Sequence, residues 1–206
     1  MNAVPQAAQR VLDFWFGPVG SAEYGQQREV WFRKDTAVDT DIAHRFGSLI
    51  EAALAGGLRD WAGQAESALA RIVLLDQFTR NVFRATPRAF AGDALALAAA
   101  RAMVAAKQDE ALLPMQRSFV YLPFEHAEDI AAQDESLRLF DALVRAAPEL
   151  AGFRDYAQRH RDIVARFGRF PHRNAVLGRE STPEEIAFLR EPGSGFYIPS
   201  PRGRGS

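Results

Sequence analysis

The segment from Leu69 to Arg84, LARIVLLDQFTRNVFR, constrains the fold of this chain more than any other stretch. It is mostly apolar as far as Leu75 and largely polar after that point. The polar side chains of its second half are Asp76, Gln77, Arg80, Asn81 and Arg84. Because apolar residues are still interleaved with them, the pattern differs from that of a solvated helix face. It predicts a buried helix that brings polar groups to an interior point.

Polar residues lie on apolar helical faces in three separate segments. At spacings of three and four residues, Asp76 and Arg80 share a face with Leu69 and its apolar neighbours. His126 and Gln133 fall on the apolar face of a helix predicted over 124–146, and His160 falls on that of a helix predicted over 150–167. A buried charge needs a partner, because removing one member of a buried ion pair costs about 3–5 kcal/mol. We therefore expect these groups to meet.

Helical periodicity over most of the chain predicts an all-α fold of about eight helices, and no segment has the alternation of a β-strand. Asp35 and Thr182 are predicted N-caps, and Thr182 with Glu185 forms a capping box. Pro123 is expected to interrupt a helix that begins at Pro114. We predict one helical domain over 1–196 and a flexible tail over 197–206. The predicted helices cover 5–16, 26–33, 36–55, 66–80, 90–106, 114–122, 124–146, 150–167 and 183–190.

Composition excludes several classes of function. The 206 residues include no cysteine, which excludes disulfides, thiolate metal sites and cysteine nucleophiles. A net charge of −1 gives no reason to expect nucleic acid or a membrane surface as partner. No apolar run approaches the roughly 20 residues of a membrane span, and no signal peptide is visible, so we expect a cytoplasmic protein. No phosphate-binding loop or dinucleotide fingerprint indicates a cofactor, and no feature specifies an oligomeric state.

The loop FGRFPHRN, residues 167–174, supplies further candidate binding residues. With Arg80, its Arg169 and Arg173 could form a basic pocket for a carboxylate or a phosphate. Metal-ligand residue types are present near His126 and His172, but the Glu-x-x-His and His-Glu-x-x-His spacings are absent. We therefore predict no metal site.

Four motifs, LLDQFTRN, LPFEHAED, FGRFPHRN and LGRESTPEE, resemble those of the mainly bacterial family known as domain of unknown function 924. The resemblance runs from the first helix to about Phe196. It implies a compact α-α superhelix similar to tetratricopeptide-like folds, although no helix-pair repeat of about 34 residues is visible. It implies no established activity, substrate or cofactor. Thr79 departs from the family pattern, which has a proline that would end the helix earlier. The family's motif residues map onto Asp76, Gln77, Arg80, Asn81, Glu125, His126, Gln133, His160, Gly168, Arg169, Phe170, Pro171, His172, Arg173 and Asn174.

Three interpretations follow. The first is a protein that binds a small anionic ligand or an acidic peptide group in an internal polar pocket. The second is a hydrolase or group transferase acting on a phosphorylated or carboxylated small molecule, with His126, His172 and Asp76 as catalytic candidates. The third is a buried polar network that only stabilises the fold. The predicted ligand-binding residues are Gln77, Arg80, Asn81, Arg169, Arg173 and Asn174.

Overall fold

The computed structural model describes residues 3–194, and within that range the chain forms eight α-helices and no β-strand. The all-α prediction is therefore confirmed. The predicted tail, 197–206, lies outside the described residues, and the tetratricopeptide-like superhelix stays a prediction. No helix in this part of the chain has the length and apolar character that crossing a membrane requires. The helices are α1 Gln6–Phe16, α2 Thr36–Leu54, α3 65–82, α4 Asp93–Ala105, α5 Pro114–Glu125, α6 Ile130–Ala146, α7 Ala151–Phe167 and α8 Pro183–Leu189.

Helix α3 lies at the centre of the fold and contacts α1, α2, α4 and α5. Five apolar residues between positions 69 and 75 are fully buried, so this part of the helix is surrounded by the core instead of facing it along one stripe. These residues are Leu69, Ile72, Val73, Leu74 and Leu75. Full burial of a Leu, Ile or Val side chain contributes about 1.5–3 kcal/mol each, which makes α3 the main anchor of the core.

A π-helical turn interrupts α3 and was not predicted. The helix is α-helical over Ala65–Ile72, π-helical over Val73–Phe78 and α-helical again over Thr79–Val82. Asp76, Phe78 and Thr79 are all fully buried, a combination that a simple α-helical stripe does not produce. The Thr79 hydroxyl donates a 2.8 Å hydrogen bond to the Leu75 carbonyl, and the helix continues to Val82.

The connection into α4 packs directly against this π turn. A Cβ added to Gly92 would lie 2.2 Å from the carbonyl oxygen of Leu75. Only glycine therefore fits where the backbone before α4 crosses α3. Because Asp93 follows at once, this close approach also sets where the first acidic residue of α4 lies.

The predicted helix break at Pro123 and the predicted helix over 26–33 were both wrong. Pro123 lies inside α5, which continues to Glu125, and the break falls at residues 126–129. The loss of one N–H donor close to the last turn is tolerated because the surrounding helix is packed into the core. His126 therefore follows the end of α5 instead of lying on α6, and Ile130, the first residue of α6, is 43% exposed. The helix predicted over 26–33 is only a 3₁₀ turn, Glu29–Trp31.

Side chains hold the break between α5 and α6 in place. Asp129 caps α6 by accepting a 2.8 Å bond from the Ala132 N–H. Gln133, fully buried as its helical position predicts, donates to the carbonyls of Glu125 and Ala127 at 2.6 and 2.7 Å. These bonds satisfy carbonyls that the end of α5 leaves unpaired.

The predicted caps at Asp35 and Thr182 are confirmed, and the second one anchors the last helix. The Glu185 carboxylate accepts from both Arg169 nitrogens at 2.7 and 2.8 Å, and from the Thr182 N–H at 2.8 Å. Asn174 donates to the same carboxylate at 3.2 Å. Helix α8 is thereby tied to the loop that follows α7.

The stability of this anchor should depend on pH. Hydrogen bonds from Arg169 and the Thr182 N–H lower the pKa of Glu185 from 4.5 to about 2, against the opposing effect of burial. Because the folded state holds the ionised carboxylate, its contribution is complete above pH 4.5 and is lost as the pH falls toward 2. In urea unfolding, Glu185→Gln should be less stable than the wild type at neutral pH, and this difference should shrink by about pH 3.

Glu184→Gln provides the control, because Glu184 lies on the same helix and bonds Arg166 at an exposed position. Its difference from the wild type should stay small over the same pH range. A stability gap for Glu185→Gln that does not change with pH would contradict the assignment.

Candidate functional site

The main candidate site is a cavity of about 590 Å³ between α3, α5, α7 and the turn at Glu29–Trp31. Part of its lining is aromatic, and the rest is a connected group of polar side chains. The lining residues are Gln27, Trp31, Phe32, Gln77, Arg80, Phe119, Leu122, Glu125, His126, Glu149, Gly152, Phe153, Tyr156 and His160. A volume of this size suits a small organic molecule.

The aromatic wall is built from rings that contact one another. The Trp31 and Phe119 rings lie 4.7 Å apart between centroids, nearly edge to face. Phe153 packs against both Phe119 and Phe32, at 6.4 and 6.3 Å. Because these contacts fix the rings, the wall is a preformed apolar surface.

Asp76 orders the polar part of the cavity from beneath it. Its carboxylate is fully buried and does not line the cavity itself. One oxygen, Oδ1, lies 2.7 Å from His126 Nδ1 and 3.2 Å from Arg80 Nη1, while Oδ2 accepts from Gln77 Nε2 at 2.6 Å. All three partner side chains line the cavity. One buried carboxylate therefore fixes the positions of three cavity-lining side chains.

The charges in this group are set by burial and by the arginine. Burial acts to raise the pKa of Asp76, but Arg80 and His126 outweigh it and hold the pKa below its ordinary value. Burial lowers the pKa of His126, and the attraction of Asp76 does not fully compensate. At neutral pH the pair is therefore a carboxylate that accepts from the Nδ1–H of a neutral imidazole.

A second imidazole and a second carboxylate complete the polar end. Glu125 is the last residue of α5, and His160 lies in the middle of α7. His160 Nδ1 is 2.8 Å from Glu125 Oε1 and 2.9 Å from the Tyr156 carbonyl oxygen. The rings of His126 and His160 are 6.0 Å apart. His160 therefore meets the other inward-facing polar groups, as expected from its position on an apolar stripe, whereas its contact with Glu125 was not predicted.

Asp93, at the start of α4, joins two arginines beside this cluster. Arg80 Nη2 lies 3.0 Å from Asp93 Oδ1, and Arg173 Nη1 donates to Asp93 Oδ2 at 3.0 Å. Burial and repulsion from Arg80 lower the pKa of Arg173 to about 10, which still leaves it charged at neutral pH. Asp93, Arg173 and His126 also line a second cavity of about 380 Å³ on this side.

The structure brings only part of the predicted site together. Gln77, Arg80 and His126 line the main cavity, Asp76 lies below it, and Arg173 reaches it through Asp93.

The remaining predicted residues lie elsewhere. Asn81 donates to Asp39 at 2.8 Å, and Arg169 and Asn174 bind Glu185. His172 lines neither cavity, and burial and Arg173 lower its pKa to about 3.

Sequence reasoning missed Asp93, the pairing of Glu125 with His160, and most of the aromatic wall. The stripe that carries Phe153, Tyr156 and His160 did contain a signal, because all three line the cavity. Trp31 and Phe119 could not be assigned, since their contact joins segments that are far apart in the chain.

Fold and site together define an all-α protein with a partly open, aromatic-lined cavity and a buried aspartate–histidine pair. The chain belongs to the family described as "Bacterial protein of unknown function (DUF924)", whose pattern matches residues 11–193. It is similar to the solved structure of the protein of unknown function ATU0120 from Agrobacterium tumefaciens, with 43% identity and a TM-score of 0.78. That likeness covers 89% of this chain and 96% of the other. No curated protein matches the chain.

Removing the charge of Asp76 should destabilise the protein strongly. The Asp76→Asn variant leaves Arg80 and His126 without their buried carboxylate, and breaking a buried pair of this kind costs about 3–5 kcal/mol. Guanidinium unfolding should therefore give a loss of at least about 3 kcal/mol. Asp41→Asn is the control: its i,i+4 bond to Arg45 is exposed and should contribute at most about 1 kcal/mol. Equal losses in the two variants would show that the buried network does not stabilise the fold.

Proposed function

We propose that this protein binds a small molecule that carries an acidic group on an apolar body, in the cavity between α3, α5 and α7. The observation that carries the proposal is the presence of an aromatic wall and a hydrogen-bonded polar cluster in one cavity of about 590 Å³. Ligand pockets typically combine a mostly apolar lining with a few fixed polar groups.

The aromatic wall is the reason to expect that the body of the ligand is apolar. Trp31, Phe119 and Phe153 offer ring faces and edges that are already in contact with one another. A flat or branched apolar group placed there loses its contact with water and finds rings that need no rearrangement.

Arg80 is the reason to expect an acidic group on the part of the ligand that lies at the polar end of the cavity. Its two terminal nitrogens face Asp76 and Asp93, whereas its Nε–H makes no hydrogen bond to any described residue. Gln77 lies beside it and lines the same cavity. An acidic group that reaches this corner meets a guanidinium, the side chain best suited to binding carboxylate or phosphate.

Filling the cavity provides a direct test. Gly152 lines the cavity at the start of α7, and a Cβ added there meets nothing within 4 Å. Gly152→Phe should therefore fold normally and occupy the space of the ligand. Gly47→Phe is the matched control, since Gly47 also lies within a helix with open space around it but does not line the cavity.

A thermal-shift screen of aromatic and aliphatic carboxylates and phosphates is the measurement. A ligand present at 100 times its dissociation constant should stabilise the wild type and Gly47→Phe by about 2.7 kcal/mol. The shift should be absent in Gly152→Phe. The proposal fails if no compound shifts the wild type, or if Gly152→Phe responds as the wild type does.

One observation favours a second candidate function, hydrolysis or group transfer on a carboxylated or phosphorylated small molecule. His126 lines the cavity while its Nδ1 is hydrogen bonded to buried Asp76 at 2.7 Å, the arrangement that orients a general base. If the wild type hydrolyses a carboxylic ester or a phosphate ester, His126→Ala should lower the turnover of that substrate by about 10²–10⁴-fold. His44→Ala, at an exposed position on α2, should leave turnover unchanged. Equal activity in both variants would exclude His126 as the base.

A further inference from the structure

We propose that Glu125, His126 and His160 form a binding site for a divalent transition-metal ion of the zinc type. One ligand atom from each residue lies within 4.8 Å of the others. Two imidazoles and one carboxylate are a known zinc donor set, and they leave a fourth coordination position open. All three residues line the main cavity, so that fourth position faces the space where a ligand can enter.

The distances are compatible with coordination after a small closure. Tetrahedral ligands at about 2.1 Å from an ion lie about 3.4 Å from one another, so the three atoms need to approach by at most about 1.5 Å. The chain supplies these ligands from the end of α5 and the middle of α7. Side-chain rotations at these positions can provide such a movement without a change in the helices.

Both imidazoles are held by an oxygen atom at Nδ1, and His126 is held in the tautomer that a metal requires. His126 Nδ1 is bonded to Asp76 Oδ1 at 2.7 Å, and His160 Nδ1 lies 2.9 Å from the Tyr156 carbonyl oxygen. With the proton on Nδ1 of His126, the Nε2 of that ring carries the lone pair. A carboxylate or carbonyl behind a histidine is the usual support of metal-binding imidazoles, because it fixes the ring orientation.

Glu125 supplies an independent observation. Its side chain is only 3% exposed, and its Oε2 has no hydrogen-bond partner among residues 3–194. A buried carboxylate oxygen without a donor costs free energy unless a cation or a hydrogen bond compensates it. A metal ion at this position would compensate the charge of Glu125.

The charge of the surroundings also favours a cation. Asp76, Asp93 and Glu125 contribute three carboxylates, whereas Arg80 and Arg173 contribute two guanidinium groups. Counted over these five side chains, the group has an excess of one negative charge. A divalent ion would change this to an excess of one positive charge and would give an acidic ligand a second attractive partner beside Arg80.

The donor set selects the kind of metal. Imidazole nitrogens suit zinc and its first-row neighbours, whereas magnesium and calcium prefer oxygen ligands throughout. The inference does not depend on the proposed small-molecule ligand, because the metal alone is expected to bind. If the metal site is absent, the proposal of a small-molecule ligand is unaffected, and the reverse also holds.

Titration of the full chain with Zn²⁺ alone is the first test. Protein stripped with EDTA should bind one equivalent of Zn²⁺ in isothermal calorimetry, in the absence of any organic ligand. Glu125→Gln keeps the shape of the side chain and should weaken binding by at least about 100-fold. Glu149→Gln is the matched control, since Glu149 lines the same cavity outside the proposed ligand set and should bind as the wild type does.

A spectroscopic measurement on the wild type makes the test independent of the folding of the variants. Zinc-edge X-ray absorption of the one-to-one complex should show two imidazole ligands and oxygen ligands. The proposal is overturned if Zn²⁺, Co²⁺ and Ni²⁺ do not bind at one equivalent, if Glu125→Gln binds as the wild type does, or if the spectrum shows fewer than two imidazoles.

Discussion

The carboxylate of Asp76, fully enclosed within α3, is the group on which the arrangement of the site depends. Its two oxygens are shared among His126, Arg80 and Gln77, and each of these side chains reaches the cavity. A charge in the core is tolerated only when its partners are held in good geometry. The same hydrogen bonds that compensate the charge therefore also give the cavity its fixed polar end.

The π turn explains how one helix can pack into the apolar core and also carry a buried carboxylate to the cavity. Over Val73–Phe78 the backbone departs from α geometry, and apolar and polar residues are buried side by side. An ordinary α-helix would place Asp76 on a single face with its i,i+4 neighbours. Helical irregularities of this kind occur frequently at functional sites, and here the irregular turn carries the acid that orders the cavity.

Local sequence patterns predicted the features that depend on local interactions. The apolar spacing, the caps at Asp35 and Thr182 and the inward position of Asp76 follow from contacts within one or two helical turns. The π turn depends on what surrounds α3, so no periodicity could indicate it. His160 and Glu125 meet only because α7 packs beside α5, and residues 35 positions apart leave no short motif. The family match, for its part, supplies a fold relationship without an activity.

The position of His160 in the middle of α7 has a consequence for how the cavity comes into being. The cavity has one wall on the central helix and α5, and the opposite wall on α7, which packs mainly on α6. Neither half encloses a space by itself. A partial unfolding that releases α6 and α7 while the central core persists would remove the cavity. Ligand binding and the docking of these two helices are therefore thermodynamically coupled.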